Sequence, residues 1–412
     1  MSAFLAPLAL ALGVQTDAVA AAEARLGWRA LFDGRSLAGW HPFAKPGASV
    51  EGWTAVDGVL HHPAAAGGGD LVSDATFGDF ELEFEWRVAP GGNSGVKYRF
   101  ADERRVGRVL GPEYQLLDDA AHPDAARPET AAAALYALYP AVEKVLAEAG
   151  AWNRARIVSR GARVEHWLNG RRVLAAEIGS ADWEARRAAS KFASDEGFGR
   201  VQPSSFALQD HGDAVWFRGL RARDPSFPDL EPRVLFDGLL LEGQPLAGWT
   251  MVGEGEVVVE AGEIVGRGGE GKGFLVYERP LGDFVLELEL RNDAPANSGI
   301  QVRSRLEGGL VLGYQIEVDP SPRAWSGGLY EEGGAWLQSL ENDAQARAAF
   351  RPGEWNHYRI ECAGPLIRAF VNGVPTCDYR AADPKPGVLA LQLHDPATRM
   401  RWRGLRVWEL GG

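Results

Sequence analysis

The stretch Leu31-Phe32-Asp33-Gly34, followed by Leu37-Ala38-Gly39-Trp40, returns later in the chain as Leu235-Phe236-Asp237-Gly238, followed by Leu246-Ala247-Gly248-Trp249. Shorter motifs repeat in the same order: Asn93-Ser94-Gly95 with Asn297-Ser298-Gly299, Trp152-Asn153 with Trp355-Asn356, Asn169-Gly170 with Asn372-Gly373, and Gln209 and His211 with Gln392 and His394. Matching motifs in a fixed order indicate an internal duplication. The chain therefore contains two homologous domains.

The duplication and the composition together set the domain organisation. We expect a first domain at residues 27–223, a Pro-rich linker at 224–231 and a second domain at 232–410. With 412 residues and 46% hydrophobic content, each domain can bury a sizeable core. A formal charge of −13 argues against nucleic acid and anionic membrane partners, which need a basic surface.

The N-terminal segment and the two cysteines bear on localisation. An apolar run from Phe4 to Val14 precedes the small residues Ala18-Val19-Ala20, so residues 1–25 are either a signal peptide or a short N-terminal helix. The first alternative places the protein in the periplasm or outside the cell, and the second in the cytoplasm. We expect Cys362 and Cys377 to be free thiols rather than a disulfide. No segment is apolar enough to span a membrane.

Short alternating runs bounded by Gly, Asn, Asp and Pro dominate the sequence. They predict an all-β fold, an antiparallel sandwich or jelly roll, in each domain. Asn169-Gly170 and Asn372-Gly373 are typical of type I′ hairpin turns. The Ala-rich segment from Glu129 to Ala149 predicts a helical insertion in the first domain.

Side chains alternate between the two faces of a strand, so each run can be divided into a core face and a polar face. The polar face of the first domain is predicted to carry Lys97, Arg99, Glu113, Gln115, Gln209 and His211. That of the second domain is predicted to carry Gln301, Arg303, Gln315, Glu317, Asp319, Gln392 and His394. An exposed sheet face is often polar without having a function. However, Gln and His recur in both copies, which favours a face that binds a polyhydroxylated ligand.

Longer motifs resemble the 3-keto-disaccharide hydrolase family (DUF1080). In the first domain they are Gly111-Pro112-Glu113-Tyr114-Gln115-Leu116-Leu117-Asp118, His122-Pro123-Asp124, Glu165-His166-Trp167-Leu168-Asn169-Gly170, Ser190-Lys191-Phe192 and Leu208-Gln209-Asp210-His211-Gly212. In the second they are Gly313-Tyr314-Gln315-Ile316-Glu317-Val318-Asp319-Pro320, Ala324-Trp325-Ser326-Gly327-Gly328-Leu329-Tyr330 and Gly353-Glu354-Trp355-Asn356. The resemblance covers nearly the whole folded chain.

The resemblance implies two tandem concanavalin A-like jelly rolls and a substrate already oxidised to a ketone at C3 of a sugar. Such a ketone acidifies the C2 proton. A base can then remove that proton, the aglycone can leave from C1 by β-elimination, and water can add back. The chain has no nicotinamide-binding motif, so the resemblance also implies a partnership with a separate sugar 3-dehydrogenase. No cofactor is expected.

The resemblance and the chemistry together suggest roles for residues of the first domain. Either His211 or Glu113 would be the base, and the other of the two, or Asp118, the acid. Lys97, Arg99 or Lys191 would lie at the enolate oxygen, Gln115 and Gln209 would hold hydroxyl groups, and Trp167 beside Glu165 would stack on a sugar ring. The alternative is that Glu165 and Trp167 are an ordinary outward pair, that His166 is a core histidine and that Lys191 is a solvated charge.

The second domain has Gly313 where the first has Glu113. It either forms a differently arranged site or binds sugar without turnover, through Arg303, Gln315, Glu317, Asp319, Arg323, Tyr330, Gln392 and His394. A divalent metal is also permitted, although no spacing demands one, by the clusters Glu113, Asp118, His122 and Asp124 in the first domain and Glu317, Asp319 and His394 in the second. A lectin-like protein and a conventional glycosidase remain as alternatives to the 3-keto enzyme.

Overall fold

The computed structural model describes residues 17–43, 47–100, 109–228, 231–238, 246–293 and 296–411. The chain divides into two compact units. Among the described residues, one unit lies within 27–227, and the other combines residues 17–26 with those from 228 to 411. Each unit contains two antiparallel sheets. The prediction of two tandem all-β jelly-roll sandwiches is thus confirmed.

The first sandwich is built from strands β1 to β13. Their bounds are β1 Arg29–Ala30, β2 Trp40–Pro42, β3 Thr54–Val56, β4 Val59–His62, β5 Leu71–Ser73, β6 Phe80–Val88, β7 Asn93–Lys97, β8 Glu113–Leu117, β9 Asn153–Arg160, β10 Arg163–Leu168, β11 Arg171–Glu177, β12 Ala207–Leu208 and β13 Val215–Arg223. One sheet, here called the outer sheet, has the order β11-β10-β9-β6-β13-β4-β3, with β1 paired to β13. The other, called the site sheet, has the order β2-β5-β12-β7-β8.

Strand β6 shows how alternation builds the outer sheet. Phe80, Leu82 and Phe84 point inward and are about 1% exposed. The glutamates between them point outward and pair with arginines of the neighbouring strands, as in Glu81 with Arg223 at 2.8 Å. One face of this sheet therefore forms the core, and the other is covered by ion pairs.

The site sheet contributes the opposite wall of the core. Tyr114, Leu116 and Leu208 are fully buried there, as the alternation predicts. Strand β7 lies between β8 and β12, with Gly95 opposite Gln115 and Val96 opposite Leu208. Residues that alternate with the core residues of these three strands therefore share the outward face of the site sheet.

The predicted helix from Glu129 to Ala149 is wrong. Only the short 3₁₀ turn Pro128–Thr130 falls in that segment, while among the described residues of this domain an α-helix, α2, spans Ala181–Ala188. Backbone groups of the segment pair with β8 instead, through Gln115 N–H donating to Ala134 O at 3.1 Å and Ala133 N–H donating to Gln115 O at 2.8 Å. Burial of the alanines against the sandwich, together with positive φ angles at Ala133 and Ala137, overrides the helical propensity of the composition.

The second sandwich repeats this plan with strands β14 to β28. Their bounds are β14 Arg233–Phe236, β15 Trp249–Gly253, β16 Glu256–Glu260, β17 Glu263–Arg267, β18 Gly273–Leu281, β19 Phe284–Asn292, β20 Ser298–Glu307, β21 Leu310–Val318, β22 Leu329–Glu332, β23 Trp336–Gln338, β24 Asn356–Ala363, β25 Leu366–Val371, β26 Val374–Arg380, β27 Gly387–Leu393 and β28 Arg399–Glu409. The short helix α3 spans Ala344–Ala349. One sheet has the order β16-β17-β28-β19-β24-β25-β26, with β14 on β28, and the other has the order β15-β18-β27-β20-β21-β22-β23.

Local predictions for turns and cysteines are also confirmed. Asn169 and Gly170 have φ angles of 50° and 83°, and Asn372 and Gly373 have 51° and 79°, as a type I′ turn requires. Cys362 and Cys377 are free and buried. They therefore act as small apolar core residues.

The N-terminal helix α1, residues 17–25, belongs to the second unit. Its Glu23 accepts from Arg368 at 2.8 Å, and its Arg25 pairs with Asp283. The apolar run Phe4–Val14 lies outside the described residues. Among the described helices, none combines the length and the apolar composition that crossing a membrane requires.

Candidate functional site

The outward face of the site sheet in the first domain carries a continuous polar cluster. The Gln115 amide lies 3.3 Å from Asn93 Oδ1, and Asn93 Nδ2 lies 3.5 Å from His122 Nε2. The His122 and His211 rings have centroids 6.5 Å apart. The predicted Gln115 and His211 are therefore linked through Asn93 and His122 on one side of the sandwich.

Glu113 is the buried carboxylate of this cluster. Its side chain lies across Gly95, where an added β-carbon would be 2.3 Å from Glu113 Oε1, so only glycine fits beneath it. Turning the Gln115 amide nitrogen toward Glu113 lets it donate to Oε1 at 3.1 Å. Burial raises the pKa of Glu113, and the nearby Lys97 and Lys191 oppose that effect without cancelling it. A glutamate of raised pKa is suited to proton transfer near neutral pH.

Two lysines lie close to Glu113. Lys97 is its cross-strand neighbour on β7, and its ammonium also pairs with Asp70 at 2.9 Å. The Lys191 ammonium lies 4.1 Å from the centre of the Tyr136 ring. The Tyr136 backbone N–H in turn donates to Glu113 O at 3.0 Å. The segment that was expected to be helical therefore supplies one wall beside the carboxylate.

The other polar residues of this face differ in how firmly they are held. His211 is nearly half exposed, with Nδ1 3.9 Å from Asp213. The Gln209 backbone N–H donates to Gly95 O at 2.9 Å, while its side-chain Oε1 is buried without a hydrogen-bond partner among the described residues. Gln209 thus offers an acceptor to a ligand hydroxyl.

Asp118 has a structural role in the turn next to the site. Its Oδ2 accepts from Gly91 N–H at 2.8 Å, and its Oδ1 accepts from Ala120 N–H at 3.1 Å. Both oxygens of the predicted acid are therefore engaged by backbone. This leaves His211 as the other predicted acid of the first domain.

Arg99 and Arg303 were predicted on the polar faces, and the structure does not bring them there. Each has a positive φ, 49° and 48°, which turns it away from the alternation of its strand. Arg99 donates to Gly161 O, and Arg303 donates to Gly364 O at 2.7 Å. In both domains this arginine clamps the hairpin turn of the opposite sheet.

Glu165 and Trp167 are also not brought together with Glu113. They lie on the outward face of the outer sheet, where Glu165 pairs with Arg163 at 2.7 Å and Arg156 covers the Trp167 ring at 5.1 Å. His166 points inward between them and is fully buried. Glu165 and Trp167 are thus an ordinary outward pair of the outer sheet. The outer face of that sheet points away from the site sheet, so neither side chain reaches Glu113.

The second domain has a pocket of about 230 Å³. Its lining residues are Lys272, Asn297, Gln315, Glu317, Arg323, Tyr330, Glu332, Trp336 and His394. Five of the eight predicted residues of this domain are among them. Of the other three, Asp319 accepts from Arg323 at 2.7 Å, and Gln392 donates to Glu332 at 3.0 Å, so each contacts a lining residue, while Arg303 forms the clamp described above.

Strand register corrects the alignment of the two sites. Gly95 pairs with Gln115 and Lys97 with Glu113, whereas Gly299 pairs with Glu317 and Gln301 with Gln315. An added β-carbon at Gly299 would lie 2.3 Å from Gln315 Cδ, and one at Gly95 would lie 2.3 Å from Glu113 Oε1. Gln315 therefore occupies the position of Glu113, and Glu317 that of Gln115. Carboxylate and amide have exchanged places between the domains.

The glutamate of the second pocket has an environment of amides. Burial raises the pKa of Glu317, although hydrogen bonds from Asn297 and Gln315 and the charge of Arg323 act in the opposite direction. The Arg323 guanidinium lies 3.9 Å from Glu317 Oε1. His394 lies at the rim with Nδ1 3.1 Å from Asp395. Within the described residues, no group of three or more His, Cys, Asp and Glu side chains is arranged to hold a metal ion.

Comparisons with known proteins identify the family. The model of the 3-keto-alpha-glucoside-1,2-lyase-like domain matches residues 27–223 and again residues 231–407. The chain belongs to this family. A 3-keto-disaccharide hydrolase from Bacteroides thetaiotaomicron is 33% identical over 227 residues, which cover 48% of this chain and 78% of that protein.

Two solved structures are less similar in sequence to this chain than the Bacteroides protein is. A candidate glycosyl hydrolase from Parabacteroides distasonis is 29% identical, with 49% of this chain and 95% of that chain covered and a TM-score of 0.45. The carbohydrate-binding module CBM66 from Bacillus subtilis is 17% identical, with 39% and 94% covered and a TM-score of 0.32.

Several residues of both sites were not among those predicted from the sequence. In the first domain they are Asp70 and Tyr136, and in the second they are Lys272, Asn297, Glu332 and Trp336. The repeated Asn-Ser-Gly motif is a signal that points to Asn297. Nothing in the local pattern points to Tyr136, because its position depends on the irregular segment beside β8.

Proposed function

We propose that this carbohydrate-active hydrolase cleaves 3-keto-glycosides in its first domain, by proton abstraction at C2, β-elimination and hydration. The observation that carries the proposal is the buried Glu113, which has a raised pKa and lies next to Lys97 and Lys191. The family and the relative from Bacteroides support the substrate class. A separate dehydrogenase would supply the ketone at C3.

Glu113 acts as the base in this mechanism. It takes the proton from C2, and the electrons of that C–H bond form an enolate with its charge on the C3 oxygen. The enolate then forms the C1=C2 double bond as the bond from C1 to the aglycone oxygen breaks. His211 gives a proton to the departing oxygen. Water then adds its hydroxyl group to C1 and gives its other proton to His211, while Glu113 returns a proton to C2, so that both residues regain their starting states and the net reaction is hydrolysis.

The lysines and amides contribute by position and charge. Negative charge develops on the ketone oxygen as the proton leaves C2, and an ammonium group at that oxygen lowers the barrier. Lys191 and Lys97 are the cations near Glu113. Gln115, Asn93 and the unpaired acceptor of Gln209 are suited to hold the hydroxyl groups of the sugar.

A matched pair of substrates tests the proposal. We expect the purified chain to release the aglycone from a 3-keto-glycoside and not from its unoxidised parent, because only the ketone makes the C2 proton acidic enough for a carboxylate base. Release is followed with a chromogenic aglycone. Comparable turnover of the parent would instead support a conventional glycosidase, and binding of both without release would support a lectin.

The pH dependence gives a second prediction. Glu113 must be ionised to act as a base, so kcat/KM should rise with pH through a pKa above that of an ordinary glutamate. Lys191 lowers that pKa, so Lys191→Met should move this acidic limb to higher pH. Lys385→Met, which removes an exposed lysine of the second domain paired with Asp383, is the control and should leave the limb in place. An unchanged limb in Lys191→Met would contradict the assignment of Glu113 as the base.

A further inference from the structure

The pocket of the second domain is built differently from the site around Glu113. Where the first domain places Lys97 opposite Glu113, the second places Gln301 opposite Gln315. The residue that faces Gln315 across the strands is therefore an amide, whereas the residue that faces Glu113 is an ammonium. A cation that would stabilise an enolate is missing from this pair of positions.

A directed chain of hydrogen bonds holds the glutamate of the second pocket. Ser304 Oγ donates to Gln301 Oε1 at 2.7 Å, Gln301 Nε2 donates to Gln315 Oε1 at 2.7 Å, and Gln315 Nε2 donates to Glu317 Oε2 at 2.9 Å. Each amide accepts at its oxygen and donates at its nitrogen, so its orientation is defined by its neighbour. Asn297 Nδ2 donates to the other oxygen, Oε1. Glu317 is thus fixed with an amide donor on each oxygen.

The two cations that line the pocket are also held by carboxylates. Lys272 pairs with Glu332, and Arg323 Nε pairs with Asp319 at 2.7 Å. The Arg323 guanidinium lies 5.0 Å from the centres of both the Trp325 and Trp336 rings, which fix its position. With each cation matched to a carboxylate and Glu317 held by neutral amides, the pocket has no excess positive charge that would select an anionic ligand.

The remaining groups suit a sugar. Tyr330 and Trp336, with ring centroids 5.3 Å apart, form an aromatic wall. Gln392 is fully buried next to Glu332, and its Oε1 has no hydrogen-bond partner among the described residues. The volume of about 230 Å³ is below the range of roughly 300–1,000 Å³ that is usual for drug-sized ligands. A ligand of about one ring, with several hydroxyl groups and no charge, matches this lining.

We propose that this pocket is a second carbohydrate site, which binds a neutral sugar unit and does not cleave it. Glu317 and the paired cations anchor hydroxyl groups, and Trp336 packs against the ring. The exchange of carboxylate and amide removes the base from the position it has beside Lys97. The absence of turnover rests on the proposed function of the first domain, whereas the binding does not.

Binding is tested by titrating the full chain with an unoxidised neutral glycoside, methyl glucoside, and with methyl glucuronide, which carries a carboxylate on the same ring. Calorimetry should show binding of methyl glucoside that Trp336→Ala weakens by about tenfold or more, as expected for loss of an aromatic contact. Methyl glucuronide should bind more weakly to the wild-type chain. Trp355→Ala removes a tryptophan that Arg403 covers at 4.0 Å, outside the pocket lining, and is the matched control.

A second variant keeps the test independent of folding. Glu317→Gln should also lose binding, because a neutral amide in that place faces the donors of Asn297 and Gln315. Thermal unfolding of each variant identifies any loss of structure, and Glu113→Gln should retain the Trp336-dependent binding. The proposal is overturned if methyl glucoside does not bind, if Trp336→Ala and Glu317→Gln bind it normally, or if Glu317→Gln lowers 3-keto-glycoside turnover as much as Glu113→Gln. Failure of 3-keto-glycoside cleavage alone would leave the binding result standing.

Discussion

Glu113→Gln should lower kcat on a 3-keto-glycoside by about 10²-fold or more, the scale expected when a positioned general base is lost. The substitution keeps the size of the side chain and its place over Gly95, so the loss reports the missing base and not a cavity. KM should change much less than kcat, because the amide can still contact the sugar. Steady-state kinetics on the purified variant measure both values.

Glu165→Gln is the matched control for this experiment. Glu165 belongs to the same domain, but it lies on the outward face of the outer sheet in a cluster with Arg163 and Arg172. Its loss should leave kcat within about twofold of wild type, as expected for a surface ion pair away from the reaction. Equal losses in the two variants would show that the effect of Glu113→Gln is not local to the site.

Stability of the first domain should fall as the pH drops from 6.5 toward 4, and His166 is one cause. Burial lowers the pKa of His166 to about 4, from an ordinary value of 6.5. In this window the unfolded chain binds a proton at His166 that the folded chain does not. The contribution of His166 to the free energy of unfolding is therefore fully present above pH 6.5 and is lost as the pH falls. At pH 5 the loss amounts to about 2 kcal/mol.

The hydrogen bonds of His166 explain why it stays neutral. Ala133 O can only accept, so His166 Nδ1–H donates to it at 3.0 Å, and Nε2 then accepts from Tyr98 OH at 2.7 Å. His166→Gln can keep both partners but cannot titrate. Urea unfolding at pH 7 and pH 5 should therefore show a smaller acid loss in His166→Gln than in wild type. The same acid loss in both proteins would remove His166 as the cause.

The fold could be predicted because two kinds of local information agree throughout the chain. The duplicated motifs define two domains, and period-two alternation assigns Tyr114, Leu116 and Leu208 to the core, where they are fully buried. The Asn-Gly pairs adopt the backbone that their sequence favours. Where one face of each strand is buried, a shift by one residue would invert every side chain, so the pattern determines the face.

Errors occurred where tertiary contacts override the local pattern. Alternation places Arg99 with Lys97, but a positive φ at Arg99 breaks the period and sends its side chain to Gly161. The Ala-rich segment has helical composition, yet its backbone donors are used by β8. Alternation also cannot say which of two sheets a strand joins, and so Trp167 was grouped with a site that lies on the other sheet.

The alignment of the two sites shows the same limit. Matching Tyr114-Gln115 to Tyr314-Gln315 follows sequence identity, whereas the strand pairing places Glu113 with Gln315. A displacement of two residues keeps every side chain on its own face, so the alternation of polar and apolar residues does not detect it. Only the cross-strand register reveals that the carboxylates of the two domains occupy different positions.

The proposed mechanism requires the first domain to break the C2–H bond of a 3-keto-glycoside before the aglycone leaves. The most direct measurement is a single-turnover comparison of aglycone release from the ordinary substrate and from the same substrate deuterated at C2. The predicted result is slower release from the deuterated substrate. The ratio of the two release rates should be the same for the wild-type chain and for Glu317→Gln. Equal release rates from the two substrates would contradict this order of bond breaking and would favour direct displacement at C1.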